Sequence, residues 1–203
     1  MKNDIGLGFK IRLERGFKTD AEKAAVVVRQ ILDIEPHGRL AAGSLAEHMG
    51  LRVVFPHEIP GMSVEDIAEL KTGGSRRWSA IYLPVPSPHR DWIINNDTHS
   101  PERQEANLFH EIGHQICGHE PDEIVTINGL PFREFSQEKE KQADFLGQAL
   151  HIPKDAAFWV LRNGLAHEEI CGKYCASSAL VKLRLNISGA NKVMMRSKAK
   201  YPS

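Results

Sequence analysis

His110-Glu111-Ile112-Gly113-His114 constrains this chain more than any other stretch. On a helix, residues four apart stand about 40° apart around the axis and one turn apart along it. Both imidazoles then project from one face and can reach a single Zn²⁺ at about 2.0–2.1 Å. Glu111 is turned about 100° from His110, beside such an ion rather than on it. There it can accept a proton from a water held at the site. The same five residues on an isolated surface helix would be two solvated histidines and nothing more, so the setting decides.

The setting is favourable. Ser100-Pro101-Glu102 reads as a helix start: Ser100 as N-cap, Pro101 at the first helical position, Glu102 near the positive end of the dipole. The helix is expected to run to about Gly118, behind a short strand at Asp91 to Asn95. A catalytic zinc site needs a third protein ligand and an open position. Ser136 to Leu150 is a second strong helical pattern, with Glu140 and Asp144 on one face. Glu140 is expected as third ligand, since His₂Glu completes a known catalytic set. Asp144 is expected to accept the outer N–H of a ligating histidine. Glu134 and Glu138 read as a solvated charged face. The physics then implies hydrolysis: Glu111 takes a proton from water, the oxygen attacks a zinc-polarised peptide carbonyl, and Glu111 returns the proton to the leaving amine. An electrophile for the oxyanion is also expected. Tyr82, Arg103, His119 and His151 qualify by type, and the sequence does not choose among them.

The rest of the chain predicts an α+β domain. Helices are expected at Thr19 to Leu32, capped by Thr19 or Asp20, and at Leu40 to Met49, stopped by Gly50. Strands are expected at Leu51 to Phe55 and Trp78 to Leu83, with an edge strand at Ile124 to Asn128. Residues 72–77 read as a flexible basic loop. Short helices follow at Asp155 to Arg162, Glu168 to Tyr174 and Ser177 to Leu185, the last two with helix-turn-helix spacing. The organisation expected is a metallopeptidase core over residues 1–153 and a C-terminal helical segment with a basic tail over 154–203.

Composition enters as a set of exclusions. Twenty-six Lys+Arg balance twenty-six Asp+Glu among 203 residues, which argues against a bulk nucleic-acid coat protein. The zero is a sum of unlike parts: residues 102–144 are acidic, whereas residues 181–203 carry six Lys/Arg and no acid. No apolar stretch is long enough for a membrane span, and the start of the chain has no signal-peptide core. Three cysteines do not suggest a disulfide framework. A cytoplasmic location is the expectation.

His110-Glu-Ile-Gly-His114, then Glu140-Lys-Gln-Ala-Asp144 and Leu150-His-Ile-Pro153, resembles the ImmA/IrrE family of metallopeptidases. That family carries HE[LI]GH, then ExxA[DN], then a run ending in Leu-x-x-Pro. Arg103-Gln104 and Trp92-Ile-Ile-Asn95 fit its approach to the motif helix. The resemblance covers roughly residues 17 to 196. It implies a thermolysin-like core in which His110, His114 and Glu140 bind zinc, Glu111 is catalytic and Asp144 is the outer acid. It further implies a partner repressor of the helix-turn-helix (XRE) type as substrate, cleaved to derepress genes in stress, phage induction or defence.

Several residues stay ambiguous. Cys117, three residues beyond His114, could act as a thiolate latch on the metal, or be a small buried hydrophobe. His119 is expected to complement the helix C-terminal dipole. His167, Cys171 and Cys175 are spaced by fours but lack a fourth ligand, and are read as packing. The basic set Lys182, Arg184, Lys192, Arg196, Lys198 and Lys200 reads equally as a DNA or repressor contact and as a frayed tail. The alternative function is a DNA- or ligand-responsive regulator, or a bare interaction module, with a silent or structural metal site. An intact Glu111 speaks for the enzyme, because a structural site needs no general base.

Overall fold

The computed structural model describes residues 8–72, 78–85, 89–127 and 130–200. The expected loop at 72–77 therefore lies, Thr72 apart, outside the described residues. The fold is mixed α+β, and it divides into two compact units. Residues 41–147 fall in one unit. Residues 6–40 and 148–203 form the other. The first helix thus groups with the C-terminal helices, a grouping in space that the division by sequence at residue 153 does not express.

The first unit holds the sheets. Strands β1 (Arg52–Val54), β2 (Ala80–Leu83) and β3 (Trp92–Asn95) form a sheet of order β1-β3-β2. β1 runs parallel to β3, and β2 antiparallel. Their β-branched and aromatic residues bury Val54, Trp78, Ile81 and Ile94 in one cluster. Helix α2 (Ala42–His48) precedes β1 and is halted before Gly50, whose φ of 72° suits only glycine well. Helix α3 (Val64–Thr72) was not anticipated. Ser63 starts it, accepting from the Asp66 N–H while its hydroxyl donates to the Asp66 carboxylate. The expected edge strand is one arm of a hairpin, β4 (Glu123–Ile127) with β5 (Leu130–Glu134). β5 escaped the sequence reading because Pro131 argues against a central strand; a two-stranded ribbon accommodates it.

Two helices carry the motif residues. Helix α4 (Pro101–Cys117) starts as expected, with Ser100 Oγ accepting from the Arg103 N–H, and ends at left-handed Gly118, φ 68°. Helix α5 (Gln137–His151) follows the hairpin. The two helices approach very closely at two glycines. A Cβ on Gly113 would stand 2.7 Å from the Ala143 carbonyl oxygen, and one on Gly147 2.8 Å from the Phe109 carbonyl oxygen. This reciprocal notch lets the Glu140 turn of α5 lie against the His110 turn of α4.

The second unit is helical: α1 (Phe17–Ile31), α6 (Lys154–Arg162), α7 (His167–Tyr174), α8 (Ser178–Ile187) and α9 (Ala190–Lys200). α1 begins after left-handed Gly16, and neither Thr19 nor Asp20 caps it. Asp20 instead accepts from the Arg12 backbone and guanidinium at 2.7–3.1 Å. Two arginines are wholly buried here. Arg29 donates to the carbonyls of Ala25, Gly38 and Leu150, and Arg184 to the Ile152 carbonyl and the Glu22 carboxylate. Arg184 therefore cannot belong to an exposed basic surface. Nor are residues 190–200 a frayed tail, since they form α9 with Ala190 in the core. Cys171 packs against the same core, and His167 bonds Ser178 Oγ; none of the three cysteines is in a disulfide. Among the described residues no helix is long and apolar enough to cross a membrane.

Candidate metal centre

The local rules that make α4 also aim its histidines. Nε2 of His110 and Nε2 of His114 lie 3.1 Å apart. From α5, Glu140 Oε2 lies 3.3 Å from the first and Glu140 Oε1 3.6 Å from the second. Ligands at about 2.0–2.1 Å in a tetrahedron stand about 3.3–3.4 Å from one another. The His110–His114 and His110–Oε2 spacings lie near that value, and one ligand atom from each of the three side chains lies within 4.8 Å of the others, close enough to hold one ion. Among the described residues this is the one group of metal-ligating side chains that converges in this way.

Each histidine is held by its other nitrogen. His110 Nδ1 lies 2.8 Å from Asp144 Oδ1, the outer acid expected from the spacing on α5. Burial disfavours a charge on His110. The Asp144 hydrogen bond, with Glu111, Asp144 and Glu140 nearby, outweighs it and raises the pKa. His114 is 1% exposed and stacks on Phe135 at 3.9 Å. Burial, then His110 and His119, push its pKa down to about 2. Its Nδ1 lies 3.0 Å from His119 Nδ1.

Glu111 stands outside the triad. Its carboxylate meets the Arg133 guanidinium at 3.4 Å, and both side chains are nearly buried. Burial raises the Glu111 pKa, while His110 and Arg133 hold it back. Arg133 itself lies over the rings of Tyr82 and Phe135, at 4.4 and 5.1 Å.

This pairing of an HExxH helix with a downstream acid agrees with what the sequence comparison finds. The profile of the peptidase M78 family, an IrrE N-terminal-like domain, matches residues 58–185, more than half the chain. The chain belongs to this metallopeptidase family. That bears out the ImmA/IrrE resemblance carried by His110, His114, Glu140 and Asp144. No curated protein and no solved structure matches it.

Within this M78 chain the other expected residues fall unequally. The Tyr82 hydroxyl donates to Asp91, and Arg103 is exposed on the first turn of α4, about 10 Å along the axis from His110. His151 is buried in the helical unit, bonded to the Tyr174 carbonyl, and burial lowers its pKa to about 4; it is a structural histidine. Cys117 does not join the converging atoms, and burial pushes its thiol up to about 12, so a thiolate latch finds no support. His119 follows Gly118, where a complement to the helix dipole was expected. It is buried between His114 and Gln142. Arg133 escaped notice with the strand that carries it. A cation between Phe132 and Phe135 was the signal that could have found it.

Proposed function

We propose that the chain is a zinc-dependent endopeptidase that cleaves a helix-turn-helix (XRE-type) repressor, relieving repression in a stress, phage or defence response. The observation that carries the hydrolase part is the convergence of His110, His114 and Glu140 with Glu111 beside them. A bound Zn²⁺ supplies an acidified water and a polarised peptide carbonyl. Glu111 takes the proton as the water oxygen bonds to the carbonyl carbon. It delivers that proton to the amine nitrogen as the C–N bond breaks. Arg133 holds the Glu111 carboxylate by an ion pair and offers a cation to developing negative charge. Asp144 orients His110.

The repressor as substrate follows from the family likeness. In this reading residues 1–153 make a thermolysin-like core, and α7 and α8, joined by the short turn at 175–177, act as the helix-turn-helix-like segment. Exposed Lys182, Lys192 and Arg196, without Arg184, remain to contact the repressor or DNA; the side chains of Lys198 and Lys200 lie outside the described residues. The test mixes the purified protein, Zn²⁺ and a helix-turn-helix repressor encoded by a neighbouring gene, where there is one, in parallel with Glu111→Gln. One specific cut, lost in the variant, is expected. Equal cutting by both proteins overturns the mechanism. No cut by the unaltered protein overturns the substrate.

A further inference from the structure

His119 and Gln142 lie outside the ligand set, yet both are buried and bonded in a line that ends on a ligand. The backbone explains how His119 reaches His114. Left-handed Gly118 reverses the chain after α4. The Gly118 N–H then bonds the Gln115 carbonyl at 3.1 Å, and the His119 N–H bonds the His114 carbonyl at 3.0 Å. This is the Schellman closure, which brings the second residue past the helix cap onto the residue three before the cap. Those two residues here are His119 and His114. Their rings meet edge to face, 5.0 Å between centroids.

Three hydrogen bonds now fix where the protons sit. The Gln142 amide nitrogen is turned to the Glu138 carboxylate, 3.4 Å away, which leaves its Oε1 toward His119. That oxygen can only accept, so His119 Nε2, at 2.9 Å, carries the hydrogen. A neutral imidazole has one N–H, so His119 Nδ1 is bare and accepts. His114 Nδ1 must therefore donate to it across 3.0 Å. His114 Nε2 is then left with its lone pair free, aimed at Nε2 of His110 and at Glu140. Reversing the line, with the Gln142 nitrogen donating to His119, would place a hydrogen on His114 Nε2. A metal could then bind there only after that hydrogen had left Nε2.

We propose that Glu138, Gln142 and His119 form a one-way hydrogen-bond relay that selects the metal-binding tautomer of His114. His119 and Gln142 are positioning residues that never touch the ion. The proposal rests on the metal-site reading above but not on any substrate.

The test begins with the unaltered, metal-free protein labelled with ¹⁵N-histidine. Long-range proton–nitrogen spectra are expected to show His119 protonated at Nε2 and bare at Nδ1. A proton on His119 Nδ1 overturns the relay. Zinc affinity is then measured by competition with a chromophoric chelator, with melting curves confirming the fold. His119→Phe keeps a ring beside Phe135 but cannot accept, and a loss of about 10–100-fold is expected. His119→Asn, whose carbonyl oxygen can stand in for Nδ1, should recover part of that loss. Equal affinity in His119→Phe and the unaltered protein, or equal loss in both variants, overturns the proposal. The two readings fail separately. A protein with the expected tautomer and zinc affinity that cuts no repressor keeps the relay and loses the substrate. One that cuts with the reverse tautomer loses only the relay.

Discussion

His110 and His114 face one point through the same ring atom, yet their outer nitrogens meet opposite surroundings. His110 is held by Asp144, a carboxylate with 58% of its side chain exposed. His114, at 1% exposure, is held by a buried neutral ring and a buried amide. The open side orients its histidine with a charge that water and salt can screen. The closed side uses neutral groups, because an unpaired charge there would be costly.

The largest expected effect removes the comparison by separating the helices. Gly113→Val or Gly147→Val drives a side chain into backbone that a Cβ alone would meet at 2.7–2.8 Å. We expect destabilisation of about 1–3 kcal/mol or more, seen as a lowered midpoint in denaturant, together with loss of zinc. A zinc-replete variant would show that the close approach does not build the site.

Next comes the contrast between sides. Asp144→Asn should weaken zinc binding by about 10–100-fold. In the unaltered protein, the share that Asp144 contributes should shrink as ionic strength rises. The effect of His119→Phe should hardly depend on salt. If both respond alike, the distinction between a screened and an unscreened support is wrong. Chelator competition at low and high salt measures it.

A smaller effect separates binding from turnover. Arg133→Met keeps the stem against Tyr82 and Phe135 but removes the cation beside Glu111. Zinc affinity should stay unchanged while kcat falls, by up to about 10²-fold if Glu111 loses its orientation. Loss of zinc instead would place Arg133 in support of the ligands. The smallest effect is expected at Cys117, where Cys117→Ala should change neither metal affinity nor cleavage rate.

These contrasts also mark what a sequence can disclose. The His110–His114 spacing, the Ser100 cap and the Glu140–Asp144 pair are local, set by helix geometry within one or two turns, and they were legible. His119 was legible in principle, because a glycine stop aims the following residue back at His114, but its link to Gln142 crosses 23 residues. Arg133 and Glu111 meet across 22 residues, through a hairpin hidden by Pro131. Arg184 looked like any surface cation. Its burial depends on Glu22, 162 residues away, and no local pattern carries that. α3 was missed although Ser63 and Asp66 announce its start, because the segment runs into the loop read at 72–77.

In the proposed reading, one face of α4 and one of α5 build a hydrolytic metal site with Glu111 as its base. Its most direct test is Glu111→Gln, assayed for zinc content and for cleavage of the repressor. We predict one zinc per chain, as in the unaltered protein, with cleavage reduced by about 10²–10⁴-fold. Undiminished cleavage, or loss of the zinc with the base, would contradict it.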